Sequence, residues 1–268
     1  MTPRVAAGPL PADVRRRLAT AYLGRRYNFY PETDSTNDIA LALAAAGEPE
    51  GTVVATDFQR RGRGRRSHTW SSPAGKDLLF SLVLRPAGDA RHALPVTLAV
   101  ATAVSVTLTK LLDADVLVKW PNDVVVGERK IAGILAESAS SGSRLAHVVV
   151  GVGVNVNTGE DDFAGELRER AASCRTLSGV EWDRADLMAD LLGTIEAYYD
   201  RFRRDGFGPL VSAYEARLAQ ADREVSFLRE GARLSGRVSG VARDGALMVR
   251  LHDGRDIELY SEHVEVLE

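Results

Sequence analysis

The sequence predicts an α+β protein with one large mixed domain followed by a small all-β domain. Up to about Ala221, segments with apolar residues at helical spacing alternate with short strand-like runs. Beyond that residue the pattern changes to short alternating strands separated by glycines, which is typical of a small β-barrel. The chain has 268 residues, 45% of them hydrophobic, which is enough to bury a substantial core.

The composition favours a soluble protein of the cytoplasm. The net charge is −3 at pH 7, so nucleic-acid binding would need a local basic patch. The single cysteine cannot form an internal disulfide, and we find no secretion signal and no uninterrupted apolar run of about 20 residues. The five histidines lack paired metal-ligand spacing, so we expect any metal to arrive with a nucleotide.

The first predicted element is a helix over residues 11–25. Its first turn holds Pro11 and Asp13, as expected of a helix start. We assign residues 1–30 to an N-terminal extension that contains this one helix. The extension is too short to be a DNA-binding domain.

A second helix is predicted over residues 39–46. It follows a Ser-Thr-Asn-Asp segment that begins at Ser35 and is typical of a helix cap, and it ends at Gly47. Short strands are predicted over residues 52–57 and 78–84. The polar segment between them is too long for a tight hairpin, so we expect it to have a function.

The remaining elements complete the large domain, residues 31–220, and the C-terminal barrel, residues 221–268. An almost wholly apolar strand over residues 147–157 could present an exposed edge, at residues 148–156, to a second copy of the chain. The other predicted elements are a buried helix at 94–112, a strand at 116–120, a hairpin at 124–138, helices at 184–202 and 210–218, and barrel strands separated by Gly231, Gly236, Gly240, Asp244-Gly245 and Asp253-Gly254.

The most unusual segment is the arginine-rich loop, residues 59–66, which contains five arginines and two glycines. Glycines let the backbone approach a ligand closely, and guanidinium groups bind phosphate or carboxylate in a bidentate way. On composition alone the loop is equally compatible with a phosphate-binding role and with a solvated or RNA-binding arginine run.

Three further segments carry candidate chemistry. Lys119-Trp120-Pro121-Asn122-Asp123 places a cation and a carboxylate around one turn, where they could hold an anionic substrate with its Mg²⁺ or could simply reverse the chain. Lys130 begins an apolar strand that Gly133 interrupts, and it could equally be a hairpin cation that faces water. The Gly-Val-Gly-Val-Asn segment at 151–155 lies within a strand and therefore fails as a dinucleotide-binding fingerprint.

Taken together and in this order, the motifs S-T-N, Q-x-x-G-R-G-R, K-W-P-N-D, K-x-A-G-I-L and G-x-G-x-N resemble those of the biotin protein ligase family. The resemblance runs from about Ser35 to the C-terminus. It implies a catalytic domain like that of class II aminoacyl-tRNA synthetases, a mixed β-sheet with packed helices, followed by a small SH3-like barrel. It also implies formation of biotinyl-5′-AMP from biotin and ATP with Mg²⁺, and transfer of biotin to a lysine of a carrier protein.

The resemblance also implies roles for individual residues. Lys119, Arg65 and Asp123 are the candidate catalytic residues, and Asp123 is the candidate magnesium ligand. The candidate biotin contacts are Ser35, Thr36, Asn37, Gln59, Arg63, Gly64, Arg65, Lys130 and Gly133. The candidate nucleotide contacts are Arg63, Arg65, Trp70, Lys119, Asn122 and Asn155. For Ser35 and Thr36 a helix N-cap is an alternative that is compatible with ligand binding.

The chain departs from the family pattern at two places. Ser67-His68 stand where Gly-Arg is usual, which removes one loop cation, and Asp77 stands where Asn is usual. The chain is also expected to lack the N-terminal winged helix of repressor relatives, so no DNA partner is expected. The implied partner is a biotin carboxyl carrier domain of an acyl-CoA or pyruvate carboxylase.

Two alternative functions stay open. A lipoate or octanoate protein ligase of the same broad fold also acylates a carrier lysine, but the paired S-T-N and Q-x-x-G-R-G-R motifs favour the biotin branch. A nucleic-acid-binding module would instead use the arginine-rich loop on phosphates. The net charge of −3 argues against that second alternative.

Overall fold

The computed structural model describes residues 10–88, 92–141, 144–260 and 264–267. It contains a seven-stranded mixed sheet in the large domain and a five-stranded antiparallel sheet in the C-terminal domain. This arrangement confirms the predicted α+β class with a small terminal β-domain. The seven strands are β1 Tyr27–Tyr30, β2 Val53–Thr56, β3 Leu78–Leu84, β4 Val116–Lys119, β5 Asp123–Val126, β6 Arg129–Ser141 and β7 Arg144–Val154.

The large sheet has the order β1-β2-β3-β7-β6-β5-β4. β1 and β2 are parallel, and the other neighbouring strands are antiparallel. The helices are α1 Pro11–Arg17, α2 Thr36–Ala45, α3 Ala93–Leu112, α4 Leu167–Arg170, α5 Cys174–Ser178, α6 Arg184–Asp205 and α7 Val211–Glu215.

Helices cover both faces of the large sheet. α2 packs on one face, where its Ala40 and Ala44 contact Val83 and Val149. α3 and α6 pack against each other on the opposite face and build the main core there. Because side chains alternate along a strand, residues of β3, β6 and β7 that share a face with Val149 point toward α2. The candidate site lies on this α2 face.

The long apolar helix α3 is a core helix. By length and composition Ala93–Leu112 could span a membrane, but 72% of its most apolar window is buried inside the molecule. Its hydroxyl side chains are satisfied locally, since Thr102 and Thr107 donate hydrogen bonds to carbonyls one turn earlier. The predicted buried helix is therefore confirmed.

The C-terminal sheet has the order β11-β10-β9-β8-β12. Gly231, Gly245 and Gly254 have positive φ and lie in turns, as predicted. The prediction that Gly236 and Gly240 separate strands was wrong, because both lie inside β9. At Gly236 a side chain would collide with the Arg250 backbone, and Gly240 lies beside an irregularity in the β9–β10 pairing. The five strands are β8 Glu224–Arg229, β9 Ala232–Val241, β10 Leu247–Leu251, β11 Asp256–Leu259 and β12 Val264–Val266.

Two other expectations need correction. The predicted helix over residues 11–25 ends at Arg17, and the predicted extension also contains β1, which pairs with β2 in the main sheet. The strand proposed as an exposed edge is central, because β7 lies between β3 and β6. Its continuous apolar sequence reflects burial on both faces of the sheet rather than an interface.

The two domains are joined through Trp120. The Trp120 indole is 3% exposed, and its Nε1–H donates a hydrogen bond to the Gly245 carbonyl at 3.1 Å, in the β9–β10 turn. The Trp120 backbone N–H also donates to Gln220 Oε1 at 2.7 Å, and Val118 forms a parallel bridge with Leu218. The turn that follows β4 is therefore held by the C-terminal domain and by the segment that leads into it.

Candidate active site

Glycines in two neighbouring strands make room for Trp70 beneath the arginine-rich loop. Gly133 in β6 is paired with Gly153 in β7. A Cβ atom on Gly153 would lie 2.6 Å from Trp70 Cε2, and one on Gly133 would lie 2.9 Å from Trp70 Cζ3. The indole therefore rests on bare backbone, which explains why glycine interrupts two otherwise apolar strands.

The start of α2 is bound by a side chain from the arginine-rich loop. Ser35 occupies the N-cap position but makes no side-chain capping bond. Gln59 Oε1 instead accepts from the Thr36 backbone N–H at 2.8 Å and lies 3.1 Å from Thr36 Oγ1. The Ser35 side chain therefore does not cap the helix, and its hydroxyl lines the adjacent cavity instead.

Arg63 closes the loop onto the sheet and α2. Its guanidinium pairs with Asp38 at 2.7 Å and with Glu137 at 3.0 Å. Glu137 also accepts a hydrogen bond from Asn37 Nδ2 at 2.6 Å. Arg63, predicted to contact phosphate as well as biotin, is therefore held on the α2 side of the site by two carboxylates.

A first cavity lies between α2, the arginine-rich loop and the glycines of β6 and β7. It leaves a free volume of about 40 Å³. The predicted biotin contacts that line it are Ser35, Thr36, Asn37, Gln59, Arg63, Gly64, Lys130 and Gly133. Its other walls, which were not among the predicted contacts, are Phe80, Ile134, Leu135, Gly151, Val152 and Gly153.

The second cavity adjoins the first and has a volume of about 520 Å³. Trp70 and Lys130 line both cavities, so they form the partition between them. The predicted nucleotide contacts Lys119 and Asn155 line the second cavity, whereas Asn122 lines the first. Short polar-rich segments after β7, which carried no clear sequence pattern, supply Phe163, Leu167, Arg170 and Ala171.

The partition is a network of charged and polar groups. Lys130 Nζ pairs with Asp123 Oδ1 at 2.6 Å and lies 5.4 Å from the centre of the Trp70 ring. Asn122 Nδ2 donates to the same Asp123 oxygen at 3.1 Å, and Arg65 donates to Asn122 Oδ1 at 3.3 Å. Burial, followed by repulsion from Arg66, lowers the pKa of Arg65 below its ordinary value. An anion beside Arg65 would favour the charged guanidinium and so oppose both effects on the pKa.

Lys119 is the uncommitted cation of the second cavity. It is paired with Asp123 across the β4–β5 register, yet its ammonium makes no hydrogen bond or ion pair to another described residue. Asn155 is only 5% exposed and donates its side-chain amide to the Ala172 carbonyl at 2.9 Å. Asn155 therefore lines the cavity and, through this hydrogen bond, also stabilises its wall.

No cluster of three or more histidine, cysteine, aspartate or glutamate side chains occurs in the described ranges. Asp123 is the predicted metal ligand, and its Oδ1 atom already accepts from Lys130 and Asn122. These groups suit a magnesium ion that is held largely by the phosphates of a nucleotide.

The departures from the family pattern have different consequences. His68 is exposed, so the missing cation leaves no buried gap. Asp77 is 1% exposed and accepts hydrogen bonds from Ser72 Oγ at 2.6 Å and the Val156 N–H at 2.8 Å. Burial raises the pKa of the Asp77 carboxyl, against the opposing effect of these hydrogen bonds. Asp77 thus fastens the chain just after Trp70 to the end of β7.

The class of protein that has this mixed sheet and these two adjoining cavities follows from its similarity to known proteins. Residues 29–155 match the model of the Biotin/lipoate A/B protein ligase family. The biotin protein ligase from Aquifex aeolicus in complex with biotin and ATP superposes with a TM-score of 0.78 at 26% identity, covering 91% of this chain and 100% of that one.

Sequence relatives show which branch of this ligase family the chain resembles. The chain is 34% identical to the biotin–[acetyl-CoA-carboxylase] ligase of Paracoccus denitrificans, covering 84% of this chain and 94% of the relative. It is 31% identical to the bifunctional ligase/repressor BirA of Bacillus spizizenii, covering 95% of this chain and 78% of the relative. The chain belongs to the biotin protein ligase family.

Proposed function

We propose that this protein is an ATP-dependent biotin protein ligase. It forms biotinyl-5′-AMP from biotin and ATP and then transfers the biotinyl group to a lysine of a biotin carboxyl carrier domain. The observation that carries the proposal is the pair of adjoining cavities, one with a polar end at α2 and one with an uncommitted cation, which meet at Trp70 and Lys130. A carboxylate and a nucleotide phosphate can meet at such a boundary.

The lining of the first cavity matches biotin, which carries a polar ureido group and an apolar valerate chain, although a cavity with about 40 Å³ of free volume must widen to admit it. Hydroxyl and amide groups of Ser35, Thr36 and Asn37 are gathered at one end, and Trp70 with the glycine backbone forms an apolar wall. A few polar groups in an otherwise apolar pocket fix the orientation of a small ligand. Lys130 lies beside Trp70 where the two cavities meet, and by family resemblance Lys119 is the cation nearest to the reacting carboxylate.

Adenylate formation brings the biotin carboxylate close to the α-phosphate of ATP. At an effective dielectric constant of 20, each pair of like charges about 4 Å apart opposes the reaction by about 4 kcal/mol. Lys130 and Arg65 are held at the boundary by Asp123 and Asn122, and Lys119 adds an unpaired ammonium in the second cavity; these cations oppose the repulsion. Magnesium bound with ATP would neutralise phosphate charge, and Asp123 is the residue that would hold it.

The second step transfers the biotinyl group to a carrier lysine. Deprotonating an amine with a pKa of about 10.4 costs about 4.6 kcal/mol at pH 7. Asp123 lies at the second cavity and is our candidate to orient or deprotonate this amine. The acceptor would be a biotin carboxyl carrier domain of an acyl-CoA or pyruvate carboxylase, and we place the reaction in the cytoplasm.

The nucleic-acid alternative loses its main support in the structure. Arg60 pairs with Glu32 and Asp34, and Arg63 pairs with Asp38 and Glu137. Two of the five loop arginines are thus committed to carboxylates, which reduces the positive potential of the loop.

Isothermal titration calorimetry with biotin, lipoate and octanoate, each with and without ATP and Mg²⁺, tests the proposal. We expect selective biotin binding and a heat of reaction when ATP is present. Selective binding of lipoate or octanoate would assign the protein to the other branch of its family. No binding of any of the three acids would contradict the proposed ligase function.

A further inference from the structure

The buried Asp77 carboxylate joins two segments of the chain that are distant in sequence. Ser72 Oγ donates to Asp77 Oδ2 at 2.6 Å, and the Val156 N–H donates to Asp77 Oδ1 at 2.8 Å. Thr158 Oγ1 lies 2.7 Å from Oδ2 and 2.9 Å from Oδ1 of the same carboxylate. Asp77 and Thr158 are each 1% exposed, so protein groups must satisfy them. A buried polar network whose members all have partners is rigid.

Each of the two segments continues directly into a wall of the second cavity. Ser71 immediately precedes Ser72, and Asn155 immediately precedes Val156. Ser71 and Asn155 both line the second cavity, and neither lines the first. The connection from one wall to the other through Asp77 therefore consists only of adjacent residues and short hydrogen bonds.

We propose that Asp77 is a positioning residue for the nucleotide, because it fixes the Ser71 wall of the second cavity relative to the Asn155 wall. Asp77 lines neither cavity, so it acts through the residues that it holds. Walls that are held in place before binding lose less conformational freedom when the ligand arrives, which favours affinity. This inference rests on the proposed function, which assigns the second cavity to ATP.

Lys76 extends the same connection to a third part of the wall. Its Nζ pairs with Asp162 Oδ2 at 2.5 Å, and its carbonyl accepts from the Asn157 N–H at 3.0 Å. Phe163, which follows Asp162, is 8% exposed and lines the second cavity but not the first. Both side chains of the ion pair are partly exposed, so we expect it to contribute less than the buried Asp77.

The first test releases one wall and leaves the buried carboxylate with partners. In Ser72→Ala, Asp77 keeps its hydrogen bonds to Val156 and Thr158. We expect the KM for ATP in biotin-dependent ATP–pyrophosphate exchange to rise about tenfold, because a hydrogen bond to a charged group is lost. The kcat at saturating ATP should stay within about twofold of the wild-type value, since the variant weakens binding and leaves the reacting groups unchanged.

Biotin binding without ATP separates positioning of the nucleotide from general loosening of the site. Trp70, the wall that both cavities share, keeps its backbone hydrogen bond to the Gly62 carbonyl at 2.9 Å and its seat on Gly133 and Gly153. We therefore expect calorimetry to give a Kd for biotin within about twofold of wild type in Ser72→Ala.

Two substitutions of Asp77 itself separate hydrogen bonding from packing. Asp77→Leu keeps the branched shape but offers no acceptor, and it should raise the KM for ATP about 30-fold. Asp77→Asn keeps an acceptor oxygen and an amide that can bond the two hydroxyl groups, so its KM should stay within about twofold of wild type. If circular dichroism shows that Asp77→Leu does not fold, Ser72→Ala decides the question.

Ser226→Ala is the matched control, because the Ser226 hydroxyl is also buried and also bonds a charged side chain, Arg233 at 3.2 Å, in β8 outside both cavities. It should leave the KM for ATP unchanged. A wild-type KM for ATP in Ser72→Ala, or an equal loss of affinity for biotin and ATP, would overturn the inference and leave the proposed function intact. Absence of biotin-dependent exchange in the wild-type chain would contradict the proposed function and this inference with it.

Discussion

The two cavities of the site differ in how completely their polar groups are satisfied. Around the first cavity, Asn37, Ser81, Arg63 and Glu137 are bonded to one another and leave a free volume of about 40 Å³. The second cavity has about 520 Å³, and its Lys119 ammonium has no partner among the described residues. The polar groups around the first cavity are therefore ordered without a ligand, whereas the second cavity keeps an unpaired charge, which the proposed function assigns to the reaction.

The strongest test of this contrast is Lys119→Ala. We expect biotin-dependent ATP–pyrophosphate exchange to fall by about 1,000-fold, because a fixed cation that opposes charge repulsion in the transition state is lost. Biotin affinity should hardly change, since Lys119 does not line the first cavity. Lys110→Ala, an exposed lysine in the last turn of α3, is the control. Exchange at the wild-type rate in Lys119→Ala would remove the distinction between the two cavities.

The second test disturbs the wall that the first cavity shares with Trp70. In Gly153→Ala the new Cβ would lie 2.6 Å from Trp70 Cε2, so the indole must move. We expect about 30-fold weaker biotin binding, measured by calorimetry, because overpacking of this kind costs roughly 1 to 3 kcal/mol. Gly193→Ala in α6 has no atom within 4 Å of its new Cβ and should bind biotin normally. Normal binding by Gly153→Ala would show that Trp70 is not held by the glycine pair.

A smaller effect is expected at the boundary between the cavities. Arg65 donates to Asn122, which in turn contacts Asp123, so Arg65→Ala should loosen the loop over the intermediate. We expect about tenfold more biotinyl-AMP to be released into solution, measured by chromatography with labelled ATP, with a smaller change in adenylate formation. Arg61→Ala, an exposed neighbour in the same loop, is the control. Full retention of the intermediate by Arg65→Ala would argue against closure of the loop.

The smallest effect concerns stability and lies outside both cavities. Burial raises the pKa of Asp77 in the folded state, so its charged form is disfavoured there and native stability falls as the pH rises through that pKa. Asp77→Asn removes the cost of burying a charge, and the asparagine amide can still form hydrogen bonds with Ser72 and Val156. We expect it to raise the free energy of unfolding by about 1 kcal/mol at pH 8 and by less at pH 4. Chemical denaturation at both pH values checks this; a gain independent of pH would contradict it.

Local sequence patterns predicted most of the helices and strands, whereas the pairing of the strands could be seen only in the structure. The exact prediction of β3 and the near-exact prediction of α3 follow from uninterrupted apolar residues between clear breaks. The same continuity in β7 misled us, because a run of valines looks alike at the edge and at the centre of a sheet. The pairing of Gly133 with Gly153 joins residues 20 positions apart, and no local pattern reports it.

The sequence pointed to part of the site and to none of its internal bonds. The motifs supplied many of the polar residues that line the two cavities, but not Phe80 or the segment that supplies Phe163 and Leu167, and Glu137 carries no unusual local pattern. Its two partners, Asn37 on α2 and Arg63 in the loop, meet it only in the folded chain. Sequence likewise does not reveal that Asp38 and Glu137 flank Arg63, which stays a predicted contact of biotin and of the nucleotide.

The hydrogen bond from Trp120 to the Gly245 carbonyl has a consequence for biosynthesis. The turn that bears Lys119 and Asp123 obtains this contact only from a residue near the end of the 268-residue chain. During translation the large domain emerges first, with Trp120 still lacking the surface that buries it. The turn that bears Lys119 and Asp123 therefore gains this support only after the C-terminal domain has been made and has folded against it.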